Sequence, residues 1–183
     1  MILVIYFEIF QTNVFKQLEL NNIPFIKLKY YDIQSPDEFN SMLEKNNISK
    51  VIISGSTQRI LRINSLPCLD MLIENKKIKR IIGLCFGFQY LARKGGHIVE
   101  SKLFKGYRVT TFGKPLWFNH KDHIRLLPDN WIIYDKVLHN NDYNIITAAA
   151  SADTRLVGFQ FHPEKHNEDF RFFILPLLHG SPE

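Results

Sequence analysis

The residues best placed to do chemistry in this 183-residue sequence gather around one cysteine. Cys85 stands in Arg80-Ile-Ile-Gly-Leu-Cys-Phe-Gly-Phe-Gln89, with Gly83 and Gly87 each two residues away. A G-x-C-x-G spacing between an apolar run and a helical run is the thiol form of a nucleophile elbow. The chain has to turn sharply from strand into helix with the nucleophile at the tip. Side chains two residues to either side would crowd that tip, and the tip itself is often strained. Such an elbow sets Cys85 at a helix N-terminus, where the helix dipole favours a thiolate. The backbone N–H of Phe86 then points to where an oxyanion would form. The same residues also describe a small buried core cysteine, so a second group has to decide.

That group lies near the C-terminal end, in Gly158-Phe-Gln-Phe-His-Pro-Glu164. Proline pushes the residue before it into an extended conformation, and residues i and i+2 of an extended segment point to one side. His162 and Glu164 are therefore expected to face one way, the carboxylate orienting the imidazole. A base held by an orienting acid is what a cysteine nucleophile needs. On its own a His-Pro-Glu also fits an exposed strand end with two incidental polar groups. Together with the elbow it completes a Cys-His-Glu triad.

The elements around these motifs alternate between strand and helix signals. Residues 2–7 form a short apolar run that reads as a buried strand, residues 12–22 a helix, and residues 24–30 a second strand. Ser35-Pro36-Asp37-Glu38 has the cap, the proline and the acids of a helix start, and that helix is expected to run to about Lys45. Residues 50–53 form the next strand, ending in Ser54-Gly55-Ser56, and 66–75 hold a helix. Residues 79–84 are a strand stopped by Cys85. Residues 86–93 are a helix ended by Gly95-Gly96. Short β segments are expected over 97–103, 107–111, 116–119 and 123–126. A strand pair is expected over 145–150 and 155–161, then one closing helix over 169–178. This order predicts an α/β fold with an open, doubly wound, mostly parallel sheet and helices on both faces, with antiparallel hairpins in the second half. The whole of 1–183 is read as one domain.

Bulk composition is that of a globular protein, 45% hydrophobic and 22% charged, with a formal net charge of +5. The densest cationic group, Lys76, Lys77, Lys79 and Arg80, reads as a solvated helix end and argues weakly for nucleic acid. Two cysteines, Cys68 and Cys85, make neither a disulfide framework nor a zinc spacing. Cys68 is expected in the core. The apolar start lacks a basic leader and a small-residue cleavage site, and no apolar run reaches membrane-spanning length. A reducing, cytoplasmic setting, no membrane, no cofactor and no metal are the expectations.

An elbow cysteine followed by a late His-x-Glu resembles the class I glutamine amidotransferases. The carrying segments are GLCFGFQYLA and VGFQFHPE, and the similarity runs from the first strand to the helix after Glu164. The resemblance implies an open flavodoxin-like α/β sheet and a Cys85, His162, Glu164 triad that releases ammonia from glutamine through a γ-glutamyl thioester. It implies an oxyanion hole from backbone N–H groups of Phe86 and of the loop at Gly55, in Val51-Ile-Ile-Ser-Gly-Ser56. Gln89 corresponds to a glutamine that helps hold the substrate. Trp117-Phe-Asn-His-Lys-Asp122 is similar to the W-x-S-H-x-D segment of the guanosine monophosphate synthetase group, which implies that backbone groups at Asn119 and His120 meet the amino-acid end of glutamine. The sequence departs from the family in four places. Gly55-Ser56-Thr57 stands where Gly-Gly-Pro is usual, and Phe86-Gly87-Phe88 where Tyr-Gly-His or Tyr-Gly-Met is usual. Asn119 replaces a serine, and the segment between the elbow and Trp117 is short, so part of a hairpin walling the pocket is expected to be absent.

The resemblance implies glutaminase chemistry that delivers ammonia to a separate synthetase subunit, with guanine-nucleotide synthesis, a purine pathway, as the leading acceptor. Two further readings share the fold: a stand-alone hydrolase of γ-glutamyl compounds, and a non-catalytic binding module.

Overall fold

In a computed structural model, described over residues 1–8, 12–139 and 143–180, the chain builds a seven-stranded sheet and a separate two-stranded one. The strands of the large sheet are β1 (Ile2–Tyr6), β2 (Phe25–Lys29), β3 (Lys50–Ile53), β4 (Arg80–Leu84), β7 (Trp131–His139), β8 (Tyr143–Ser151) and β9 (Leu156–Phe159). Their spatial order is β2-β1-β3-β4-β9-β8-β7. The first five in that order run parallel, and β8 and β7 add an antiparallel edge. The small sheet is the long hairpin of β5 (His97–Val109) and β6 (Pro115–Leu126).

Beyond their first residues, Lys50 and Arg80, the central strands β3 and β4 carry only apolar residues and glycine, because both faces are covered. Alternation along β1 shows how. Ile2 and Val4 pack in a layer with Val14, Phe15 and Leu18 of α1 (Thr12–Leu20), with Phe170 and Phe173 of α5 (Asn167–Phe173), and with Leu178 of α6 (Leu175–His179). Leu3 and Ile5 pack on the opposite side. There they meet Phe39 and Leu43 of α2 (Pro36–Lys45), Leu69 and Leu72 of α3 (Pro67–Glu74), and Phe86 and Tyr90 of α4 (Phe86–Ala92). Successive strand residues point to opposite faces, so one short strand serves two hydrophobic layers. The hairpin joins the first layer through Phe104, Leu116 and Phe118. Helix α2 starts as its residues dictate, with Ser35 accepting the Glu38 N–H at 3.2 Å and Pro36 in the first turn.

Four expectations are corrected. The segments read as short β pieces over 97–126 are two continuous strands of 13 and 12 residues. Register shifts between Glu100 and Phe104 break the side-chain alternation, which is why the pattern reads as fragments. Strand β7 carries no clean alternation for the same reason, with irregularities around Asp135. The closing helix is two helices, because Pro176, three residues after Phe173, has no N–H to continue the ladder of α5. Finally, Arg80 is not part of a solvated helix end: it opens β4 and is buried, while Lys77 is exposed and pairs with Glu44 at 2.8 Å.

Candidate active site

The parallel strands β3, β4 and β9 end side by side, with Ile53 next to Gly83 and Gly83 next to Gly158. Ligand sites of open α/β sheets form beyond such carboxyl ends. Three segments leave the sheet here: the Ser54–Ser56 loop after β3, the turn at Cys85 after β4, and residues 160–165 after β9.

Cys85 caps α4 with φ 51° and ψ −102°, a conformation that costs a non-glycine residue of order 1–3 kcal/mol. The surroundings enforce it. A Cβ at Gly83 would lie 2.5 Å from the Gly87 carbonyl carbon, and one at Gly87 would lie 2.3 Å from the Ile53 carbonyl oxygen. Both contacts are with backbone, so the two glycines of the motif are required by close approach of β3, β4 and α4. The Cys85 N–H donates to the Phe159 carbonyl at 2.7 Å, tying the elbow to the end of β9.

His162 and Glu164 meet as expected, but by another route. Pro163–Lys165 forms a single 3-10 turn, so the pair does not sit on an extended segment. The turn brings the Glu164 carboxylate back under the ring, where His162 Nδ1 and Glu164 Oε1 are 2.8 Å apart. Burial works against a charge on His162. The charges of Glu164 and Cys85, with the hydrogen bond to Glu164, overcome it and hold the imidazole pKa well above 6.5. The structure thus gathers Cys85, His162 and Glu164 into one cleft of about 640 Å³.

Strand β6 forms one wall of that cleft. His162 N–H donates to the Trp117 carbonyl at 2.9 Å, and two residues along the Cys85 thiol donates weakly to the Asn119 carbonyl at 3.8 Å. His120 is buried beside His123, with Nδ1 3.1 Å from the Asp122 carbonyl. Asp122, which falls between the β segments expected over 116–119 and 123–126, lies within β6 and is 2% exposed. Its carboxylate pairs with Arg59, which also reaches Glu100 on β5 at 3.0 Å. These two carboxylates hold the Arg59 guanidinium above its already high range, through hydrogen bonds first and charge second. Arg59 thus clamps the two strands of the hairpin together beside the cleft.

Gln89 and Asn119, singled out from sequence, both line the cleft. Gln89 Nε2 donates to the Asp122 carbonyl at 2.7 Å and to Gln160 Oε1 at 3.3 Å. The Gly55 loop departs from the usual composition in a way the structure accounts for. Ser54 Oγ donates to the Gly55 carbonyl at 2.9 Å, and Glu8 Oε1 accepts from Ser56 Oγ, Thr57 N–H and Thr57 Oγ1. Among the described residues, the N–H groups of Gly55 and Phe86 donate to no protein acceptor. Sequence reasoning missed Arg59, Gln160 and Glu8. Arg59 and Glu8 sit outside any motif, and only the position of Gln160 two residues before His162 could have flagged it.

Cys68 lies in the core, and burial raises its thiol pKa. Among the described residues no cluster of His, Cys, Asp and Glu could hold a metal, and no helix is long and apolar enough to cross a membrane.

A strained cysteine elbow, a His-Glu pair and an open α/β sheet define a class, and comparison with known proteins agrees on which. Residues 3–176 match the family glutamine amidotransferase class-I, and the chain belongs to that family. Among its relatives is a GMP synthase [glutamine-hydrolyzing] of Prochlorococcus marinus, 28% identical over 184 residues, covering 90% of this chain and 30% of that protein. Another, from Petrotoga mobilis, is 25% identical over 154 residues, covering 75% of this chain and 29% of the relative. The chain thus spans under a third of the length of these two. A crystal structure of a proposed GMP synthase subunit from Thermoplasma acidophilum shares the fold, with TM-score 0.71 and 21% identity over 94% of this chain and 91% of that one. The glutaminase domain of a Trypanosoma brucei CTPS, with bound acivicin, has TM-score 0.56 and 10% identity over 92% and 88% of the two chains.

Proposed function

We propose that this chain, as one domain, hydrolyses the side-chain amide of glutamine and delivers the ammonia to a separate synthetase subunit, with guanosine monophosphate synthesis as the leading acceptor reaction. The observation that carries the reading is the joint action of Glu164 and Cys85 on one buried imidazole. An imidazole held protonated beside a cysteine is the partner that a thiol nucleophile needs.

In this reading Cys85 Sγ attacks the amide carbon, and the carbonyl electrons move onto oxygen, stabilised by the N–H groups of Phe86 and of the Gly55 loop. His162 gives its proton to the nitrogen, the C–N bond breaks, and ammonia leaves a γ-glutamyl thioester. His162 then takes a proton from water, whose oxygen attacks the thioester. The C–S bond breaks to yield glutamate and the thiolate, and Glu164 holds the ring throughout. Each oxyanion donor in such a site is worth about 10²–10³ in turnover. Gln89, Asn119 and His120 would hold the amino-acid end of glutamine.

Labelling with a glutamine-mimicking diazoketone, mapped by peptide mass beside a Cys85→Ala control, tests this. One adduct on Cys85, absent from the control, is the expected result. No adduct, with Cys85 still open to iodoacetamide, rejects glutamine. It would leave either a hydrolase of other γ-glutamyl compounds, recognised by turnover without a synthetase, or a binding module, recognised by a Cys85 that stays inert toward glutamine-like electrophiles even beside a candidate partner.

A further inference from the structure

We propose that Gln160 is a further catalytic residue of this site, a side-chain amide that holds the Cys85 sulfur as the reactive anion while accepting the second hydrogen of Gln89 Nε2. The inference rests on Cys85 being the nucleophile. Gln160 is fully buried, and its backbone N–H donates to the Thr147 carbonyl on β8 at 2.8 Å, so it has one position. Its side chain lies between two working groups. Nε2 donates to Cys85 Sγ at 3.7 Å, and Oε1 accepts from Gln89 Nε2 at 3.3 Å.

The direction of this chain is set from its far end. A backbone carbonyl can only accept, so Asp122 requires Gln89 to present nitrogen, at 2.7 Å. The second hydrogen on that nitrogen then needs an acceptor, and Gln160 supplies Oε1. With its oxygen committed to Gln89, Gln160 can offer only nitrogen to the sulfur. Two consequences follow. A thiol sulfur is a weak acceptor and a thiolate a strong one, so an N–H aimed at sulfur favours the anion. Both hydrogens of Gln89 Nε2 are used inside the protein, so the atom Gln89 can offer a ligand in the cleft is its carbonyl oxygen, which suits an ammonium group.

Other charged groups share the neighbourhood: His162 and Glu164 after β9, the Arg59–Asp122 pair across β6, and Arg62, Lys121 and Lys165 on the cleft lining. The test leaves all of them in place. The pH dependence of Cys85 alkylation by iodoacetamide is measured in the wild type, Gln160→Met and Gln160→Glu, with adducts mapped by peptide mass. Methionine keeps the length and removes the donor. Glutamate also keeps an acceptor for Gln89. For Gln160→Met the alkylation midpoint should move to higher pH and the rate at pH 7 fall by about five- to tenfold, a modest share of what hydrogen bonds to charged groups can supply. Gln160→Glu should move the midpoint further.

Labelling of buried Cys68 reports unfolding, which by itself would speed alkylation of both cysteines. A wild-type profile in Gln160→Met, with Cys68 unlabelled, overturns the proposal. If Gln160→Met exposes Cys68, the same result in Gln160→Glu overturns it. Iodoacetamide needs no glutamine pocket. Failure of the diazoketone in the wild type would therefore reject the glutamine reading and leave this measurement decisive for Gln160.

Discussion

The backbone N–H of His162 donates to the carbonyl of Trp117 at 2.9 Å, so the proposed base is hung from the hairpin and not from the sheet that precedes it. The same strand accepts the Cys85 thiol at Asn119. Tyr107 Oη and His166 Nε2 are 2.7 Å apart, and on the cleft lining Lys165 Nζ lies 3.2 Å from the centre of the Trp117 ring. Strand β6 thus spaces nucleophile from base, and anything that loosens the hairpin should reach the chemistry.

Arg59→Met tests that link. It removes the clamp between β5 and β6 and leaves the Asp122 carboxylate buried without its cation. Breaking one side of a buried pair costs about 3–5 kcal/mol, and the low end applies where Arg59 keeps some exposure. Urea unfolding should show a loss of about 3 kcal/mol, and diazoketone labelling of Cys85 should slow in the same variant. Arg59→Met with wild-type labelling would show that the hairpin does not set the spacing.

Glu164→Gln keeps the size of the side chain and removes its charge. The pKa of His162, raised in the wild type, should fall toward or below 6.5, read from the imidazole C–H shift in an NMR titration. The sign for stability follows from the raised value. Protonated His162 adds stability that is fully present below pH 6.5 and is lost as the pH climbs through the raised pKa. The melting-temperature gap between wild type and Glu164→Gln should therefore be widest near pH 6 and narrow toward alkaline pH.

Cys85→Gly should be more stable than Cys85→Ala. Both lose the nucleophile, but only glycine relaxes at φ 51° and ψ −102°. A difference of about 1–2 kcal/mol in chemical denaturation is expected, within the range for one residue held in a sparse region. Equal stabilities would mean that the elbow stores no strain.

Gly87→Ala should be worse than either. Its Cβ would stand 2.3 Å from the Ile53 carbonyl oxygen, so α4 has to move away from β3 and take Cys85 with it. Overpacking of this kind costs about 1–3 kcal/mol. Iodoacetamide should still reach Cys85 in the folded variant, while labelling by the glutamine mimic should be lost.

Much of this site was legible because its chemistry is local. Gly83, Cys85 and Gly87 encode the elbow within five residues, and Pro163 places Glu164 within reach of His162 even though the segment turns where extension was expected. The parallel strands announced themselves as short apolar runs. What stayed hidden depends on register or on distance along the chain. Strand β7 and the full length of β5 are masked by shifts in pairing that spoil the period of two. Arg59 meets Asp122 across 63 residues with no pattern to join them, and Gln160 meets Cys85 across 75, where both motifs are legible but the contact between them is not. Arg80 misled for the opposite reason: a cation next to a lysine run looks solvated, and only its place at the head of a buried strand says otherwise.

The separation of the triad along the chain also orders events during synthesis. Cys85 is made 77 residues before His162, an interval of roughly 4–15 s at ribosomal speeds of about 5–20 residues per second. Through that time the emerging cysteine has neither its imidazole nor the neighbouring strand end that receives its N–H. It is a plain thiol with no partner to arm it. In the proposed mechanism the nascent protein therefore passes through the crowded exit from the ribosome without its base, which joins Cys85 only when the segment after the last parallel strand has been translated and docked.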